Sequence, residues 1–226
     1  KHQAVIRADL DLPRMLWSLP DMPCDPVWIL EEKYAGESTE SKLKKLREWL
    51  KEKMGSYYFS SKLDDIMWLY NIRGNDVECN PVALCYTLVS ENDAYLFIQK
   101  QAITKETQGY FEDNNITLIE YTEVMDFIKT YSFKTEDTVV LHKKNISYSF
   151  YKTLVSKVEV LDEQNVLENL KCIKNKTELE NIREAYLYDS AAVCRFIAWI
   201  KEAVKTDAIT EISAADRLDC LRKGVP

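Results

Sequence analysis

The chain has 226 residues, 46% of them hydrophobic and 30% charged, with a net charge of −7. That apolar fraction excludes global disorder, and the acidic balance excludes a dominant electrostatic grip on nucleic acid or an anionic membrane. At about 150 residues per domain, the length reads as one domain and part of a second.

Residues 1–36 read as a connector: Pro13, Pro20, Pro23 and Pro26 block any long helix, and Gly36 closes the segment. From Ser38 the pattern is helical. Leu43, Leu46, Leu50 and Met54 recur at spacings of three and four, the Lys and Glu residues of 42–53 form the solvated face, and Gly55 stops the helix. SYYFS (56–60) reads as a strand. Ser61 and Asp64 then have the spacing of a helix-start cap for LDDIMWLYN. ALCYTLVS (83–90) and AYLFIQ (94–99), separated by Glu91-Asn92-Asp93, predict a β-hairpin.

After the hairpin, short strands alternate with helices. KETQGYFEDN is a helix weakened by Gly109, ITLIEY a strand, TEVMDFIKTY a helix and DTVVLH a strand. ISYSFYKTLV is ambiguous, and KVEVLD is a strand. This rhythm predicts an α/β domain with a mixed sheet over 37–163. From residue 164 onward only helix is expected. Asn175 with Glu178, and Thr210, cap two helices whose apolar faces (Leu179, Ile182, Tyr186, Val193 and onward) need something to pack on, and the stripe over 179–204 is expected as core rather than as a membrane helix.

Few residues offer metal or nucleotide chemistry. The two histidines, His2 and His142, are too few for a His-rich metal site. Five glycines form neither GxGxxG nor GxxxxGKS/T, which removes Rossmann and P-loop nucleotide binding. None of the six cysteines forms CxxC; they are expected as buried, reduced thiols of a cytosolic protein. No run has the length of a membrane span, and KHQAVIRADLDLPRM lacks the apolar core of a signal peptide. Sequons at Asn115, Asn145 and Asn175 carry little weight in that setting.

Three motifs carry a family resemblance. DDIMWLYNIRGNDVECNPV (64–82) resembles the second-domain signature of three-domain Xaa-Pro aminopeptidases, D-D/E-I-x-W-L-x-N-L/I-R-G-x-D-V/I-x-x-N-P-V. TELENIREAYLYDSAAVCRFIAWI and TEISAADRLDCLR resemble, in the same order, two later helices of that family. The resemblance implies a linker at 1–36 from a first domain, a creatinase-like α/β domain at 37–163, and the opening helices of a pita-bread catalytic domain at 164–226. It implies a cytoplasmic enzyme whose partner is a peptide with proline second, not nucleic acid or membrane. It also implies two divalent ions, usually manganese, on ligands downstream of this chain, so that this segment binds no metal and is inactive alone. The alternative is a non-catalytic pita-bread relative, such as a histone-chaperone subunit. A two-domain creatinase-like hydrolase is a third reading. The family is often dimeric through its catalytic domain, and the apolar faces of 178–223 point to a homo-oligomer.

Two residues are candidates for substrate binding. Arg73, in Asn71-Ile72-Arg73-Gly74-Asn75-Asp76, lies in a part of the domain that the resemblance puts beside the active-site cleft. It is a candidate wall for the pocket of the substrate's first residue. The plainer reading pairs it with Asp76. Tyr70 is a candidate for the same pocket, against a plainer reading as core. Gly74 is expected at positive φ. Asp64 and Asp65 are expected to serve the helix start rather than acid–base chemistry, since adjacent helical residues diverge. Glu78 with Cys79 and Cys85 makes a poor metal site, and His142 is expected to be structural.

Overall fold

The computed structural model describes residues 12–18, 20–206 and 208–224. His2 and the first eleven residues of the predicted connector lie outside the described residues. The prolines leave the connector only short elements: α1 (Leu12–Leu16), β1 (Trp28–Ile29) and α2 (Glu32–Ala35). Gly36 ends α2 in the left-handed region, φ 70.

Helix α3 (Thr39–Glu52) starts at Ser38, whose hydroxyl accepts the Ser41 amide at 3.2 Å. It buries Leu43, Leu46 and Leu50, as the spacing predicted. Its end differs from expectation. Met54, not Gly55, takes the left-handed position, at φ 55. The Gly55 amide donates to Leu50 (2.9 Å) and the Met54 amide to Lys51 (3.0 Å), so the turn is a Schellman motif shifted by one residue. Gly55 is needed for space instead, because a Cβ there would collide with Val140.

The remaining elements follow the predicted rhythm, apart from β3 (Ile72–Arg73), which it did not anticipate: β2 (Tyr57–Ser60), α4 (Leu63–Leu69), β3, β4 (Cys85–Ser90), β5 (Ala94–Ile98), α5 (Lys105–Asp113), β6 (Ile116–Glu120), α6 (Val124–Thr130), β7 (Thr138–Leu141), α7 (Tyr148–Val155), β8 (Glu159–Asp162), α8 (Val166–Cys172), α9 (Lys176–Thr206) and α10 (Glu211–Lys223). The ambiguous ISYSFYKTLV resolves as helix α7. One mixed sheet has the order β6-β5-β4-β2-β7-β8. The β4–β5 hairpin and the β2–β4 pair are antiparallel; β5–β6, β2–β7 and β7–β8 are parallel. A second ladder pairs β1 with β3, Trp28 opposite Arg73.

The sheet has a core on each face, and the period of two sorts residues between them. Tyr58, Val89, Leu96, Ile98 and Val140 face α3, α4 and α8. Phe59, Leu88, Phe97, Val139 and Leu141 face α6 and α7. Helix α8 is tied down by Asn165, which caps it through the Glu168 amide and donates to Asp65 at 2.5 Å.

Three further expectations need correction. Ser61 does not cap α4: the position is held by Lys62 without a side-chain bond, and the Ser61 hydroxyl donates to the Asn145 carbonyl at 2.6 Å. Asp64 and Asp65 do stand in the first turn of α4, as expected, and both also pair with Lys171 of α8. All six cysteines are free, but only Cys85 is buried; Cys79, in the loop between β3 and β4, and Cys172, at the end of α8, are exposed, as are Cys194 and Cys220, because α9 and α10 leave most of their surface uncovered. For the same reason the apolar stripe of α9, expected as core, is largely open: Leu179, Tyr186, Ile197 and Val204 are exposed. Among the described residues no helix is long and apolar enough to cross a membrane.

A candidate cleft beside the long helix

Arg73 is presented by the turn that joins α4 to β3. Asn71 makes that turn at φ 49, a conformation asparagine tolerates better than most residues. Its backbone carbonyl accepts the Leu30 amide (2.7 Å), and its side chain donates to the Glu37 carbonyl (2.8 Å). Gly74 follows without positive φ, contrary to expectation. What it supplies is closeness: a Cβ would stand 2.8 Å from the Cβ of Ala83 and 3.0 Å from its backbone nitrogen.

Beneath the turn lies Lys42, only 1% exposed. Its ammonium donates to Asn71 Oδ1 at 2.6 Å and to the Trp68 carbonyl at 2.9 Å, and sits 4.2 Å from the Trp68 ring. Burial pushes its pKa down to about 8, against the pull of Glu178 and Glu37. The expectation that the Lys–Glu run of α3 is wholly solvated therefore fails at Lys42. A signal was present in the spacing: 42, 46 and 50 fall on one helical stripe, with Leu46 and Leu50 in the core.

Glu178 closes the other side. It caps α9 reciprocally with Asn175, as predicted: its amide donates to Asn175 Oδ1, and its carboxylate accepts the Asn175 amide, both at 2.9 Å. The same carboxylate accepts the Trp68 indole N–H at 3.3 Å. One residue thus begins the long helix and fastens it to α4. Two adjoining hollows, of about 160 and about 310 Å³, lie along this seam, and Trp68, Arg73, Lys174 and Glu178 border both.

Arg73 is half-buried in this seam. Its Nη1 donates to the carbonyls of Ile72 (2.8 Å) and Met67 (3.1 Å). Burial lowers its pKa, opposed by Glu178. The anticipated pair with Asp76 is not formed, since the Asp76 carboxylate accepts the Asp25 and Leu84 amides at 2.9 and 2.8 Å. Tyr70 stands apart from the hollows. It is 0% exposed, and its hydroxyl lies 2.5 Å from Thr87 Oγ1, which itself donates to the Tyr95 carbonyl. Burial raises its pKa. The structure thus puts Arg73 on the cleft and Tyr70 in the core, and does not bring them to one wall.

Among the described residues no group of three or more His, Cys, Asp or Glu is arranged to hold a metal ion. His142 has a structural role, its Nδ1 lying 2.9 Å from the Glu163 carbonyl.

Residues 18–178 match the creatinase/prolidase N-terminal domain family. Probable Xaa-Pro aminopeptidase P of Sordaria macrospora is 31% identical over 94% of this chain and 36% of its own length. Xaa-Pro aminopeptidase app-1 of Caenorhabditis elegans is 30% identical over 90% of this chain and 34% of its own. The chain therefore spans about a third of the length of these curated relatives. Among solved structures, the X-prolyl aminopeptidase of C. elegans, described as a cytosolic enzyme with a di-nuclear active site, superposes with a TM-score of 0.85 at 29% identity. That match covers 93% of this chain and 35% of the other.

Proposed function

Because the chain belongs to the creatinase/prolidase N-terminal domain family, we propose that it is part of a cytosolic Xaa-Pro metallo-aminopeptidase, which releases the first residue from peptides with proline second. The observation that carries this reading is the likeness to the C. elegans enzyme across 93% of the chain. In this reading residues 1–36 lead in from a preceding domain, 37–163 form a non-catalytic creatinase-like module, and 164–226 open the catalytic domain. The histone-chaperone alternative has no observation in its favour.

Two divalent ions, manganese by resemblance, belong to such an enzyme. The described residues do not fit a metal centre, so no catalytic step is assigned to this chain. Its contribution is to bind and orient. Arg73 is our candidate for the wall that meets the substrate's first residue, supported by its position on the cleft between module and helix. Tyr70, being buried, would contribute only by supporting the turn that carries Arg73.

The test has two parts. This chain alone, given an Xaa-Pro peptide and excess Mn²⁺, is expected to show no turnover above background. A chimera in which it replaces the matching segment of the C. elegans enzyme is expected to keep Mn²⁺-dependent turnover. In that chimera Arg73→Ala should raise KM by about tenfold, with a smaller change in kcat. Turnover by the chain alone, or a folded chimera without turnover, overturns the proposal.

A further inference from the structure

We infer that the seam between β3 and the first turn of α9 is a carboxylate-binding site, with Arg73 as its principal ligand and Lys174 as its second. The argument rests on which donors are used and which are not. Among the described residues Arg73 makes hydrogen bonds and ion pairs through Nη1 alone, and only to backbone carbonyls. Among those same residues no buried side-chain nitrogen or oxygen lacks a partner. Nε and Nη2, which have none, are therefore not sealed from solvent, and Arg73 borders both hollows. These two nitrogens are one edge of the guanidinium fork, the edge that matches a planar carboxylate in bidentate fashion.

The surroundings favour the same ligand. The protein carries a net charge of −7, yet this seam gathers Arg73, Lys171, Lys174 and the buried Lys42 around two carboxylates, Glu178 and Asp64, and Asp64 is already paired with Lys171. Glu178 is already committed to the Asn175 amide and the Trp68 indole. Lys174 forms no ion pair with a described side chain; its ammonium donates to the Lys171 carbonyl. The local excess of positive charge is thus left to a ligand. The fork is held rigidly, because Lys42 pins the turn at both Trp68 and Asn71, and a pre-organised fork loses little entropy on binding. The adjoining hollow of about 310 Å³ is walled by Met67, Pro81 and Val82, which gives an attached apolar group a surface to lie on.

The carboxylate has two sources in a peptide, its C-terminus and an acidic side chain. In either case its identification with a substrate rests on the aminopeptidase reading, while the site itself does not. The experiment uses this chain with sodium acetate, sodium chloride at equal ionic strength serving as control. The Trp68 indole N–H resonance, at the border of both hollows and present in every variant, is followed by ¹⁵N NMR. A saturable shift with acetate is expected, weakened about tenfold or more by Arg73→Gln and about threefold by Lys174→Gln, with the fold unchanged by circular dichroism. No saturable shift, the same shift with chloride, or retention of binding in both variants overturns the inference. A short peptide with a free C-terminus, its amide, and an amide bearing an N-terminal glutamate then distinguish the sources. Binding of the free acid alone assigns the C-terminus; binding of the glutamyl amide assigns the side chain. An inactive chimera with acetate binding intact would remove the aminopeptidase reading and leave this one standing.

Discussion

The Lys42 ammonium lies 2.6 Å from Asn71 Oδ1, so a buried cation on α3 holds the turn that presents Arg73. The pair explains how asparagine at φ 49 is kept in place, and why a lysine is tolerated where its helix faces the core. Lys42→Met leaves the Trp68 carbonyl and the Asn71 amide oxygen without their donor. The variant is expected to lose about 2–3 kcal/mol of stability, read as a lower urea midpoint at unchanged slope.

The same residue gives a pH signature. Its folded pKa, about 8, lies below the unfolded value of 10.5. Between these two values the unfolded chain binds more protons than the folded one, so stability rises with pH through that window. Below pH 8 both states are protonated and the full cost of burying the charge is present. The difference in unfolding free energy between wild type and Lys42→Met is expected to grow by about 1–2 kcal/mol from pH 7.5 to 9.5. Tyrosine titration is common to both chains and cancels in that difference. A flat difference would show that Lys42 is not desolvated as the structure has it.

Met54 takes a left-handed φ of 55 on an exposed turn, where its side chain makes little use of the position. Met54→Gly removes the steric cost and should stabilise the protein by about 0.5–1 kcal/mol, visible as a higher midpoint of thermal unfolding. Gly55→Ala, one residue on, should do the opposite by about 1–3 kcal/mol, because the new methyl group meets Val140.

Asp64 and Asp65 are neighbours with different fates. Asp65 is fully buried and bonded to Lys171 at 2.6 Å and Asn165 at 2.5 Å; Asp64 reaches the same lysine from a half-exposed position. Asp65→Ala leaves Lys171 and Asn165 without their buried acceptor and is expected to cost about 3–5 kcal/mol. Asp64→Ala should cost under about 1 kcal/mol. Urea unfolding of the two variants side by side checks the contrast, and equal effects would contradict the burial of Asp65.

The outer face of α9 exposes Tyr186 (66%) and Leu187 (73%) beside the partner helix α10, which is held by Arg222 on Asp189 at 2.7 Å. Such surface favours association. Sedimentation of this chain is expected to show concentration-dependent self-association, weakened about tenfold by Leu187→Glu. A monomer at every concentration would rule out this face as an interface between copies.

The sequence by itself determined the elements that depend on near neighbours. The β4–β5 hairpin, the Asn175–Glu178 and Thr210 caps and the alternation of strand and helix are set by residues within a few positions of one another, where propensity and capping act. The motif around Arg73 was legible for the same reason: its residues are contiguous. Tertiary structure alone decided what distant residues do to each other. Lys42 reads as a solvated lysine until Trp68 and Asn71 close over it, and Asp65 reads as a helix-start residue until Lys171 arrives from α8. Glu178 was legible as a cap, but not as the group that fastens α9 to Trp68. Desolvation and long-range hydrogen bonds depend on which surfaces the sheet and its helices bring together, and no local pattern carries that information. The cleft at Arg73, and the charge excess within it, exist only in the folded chain.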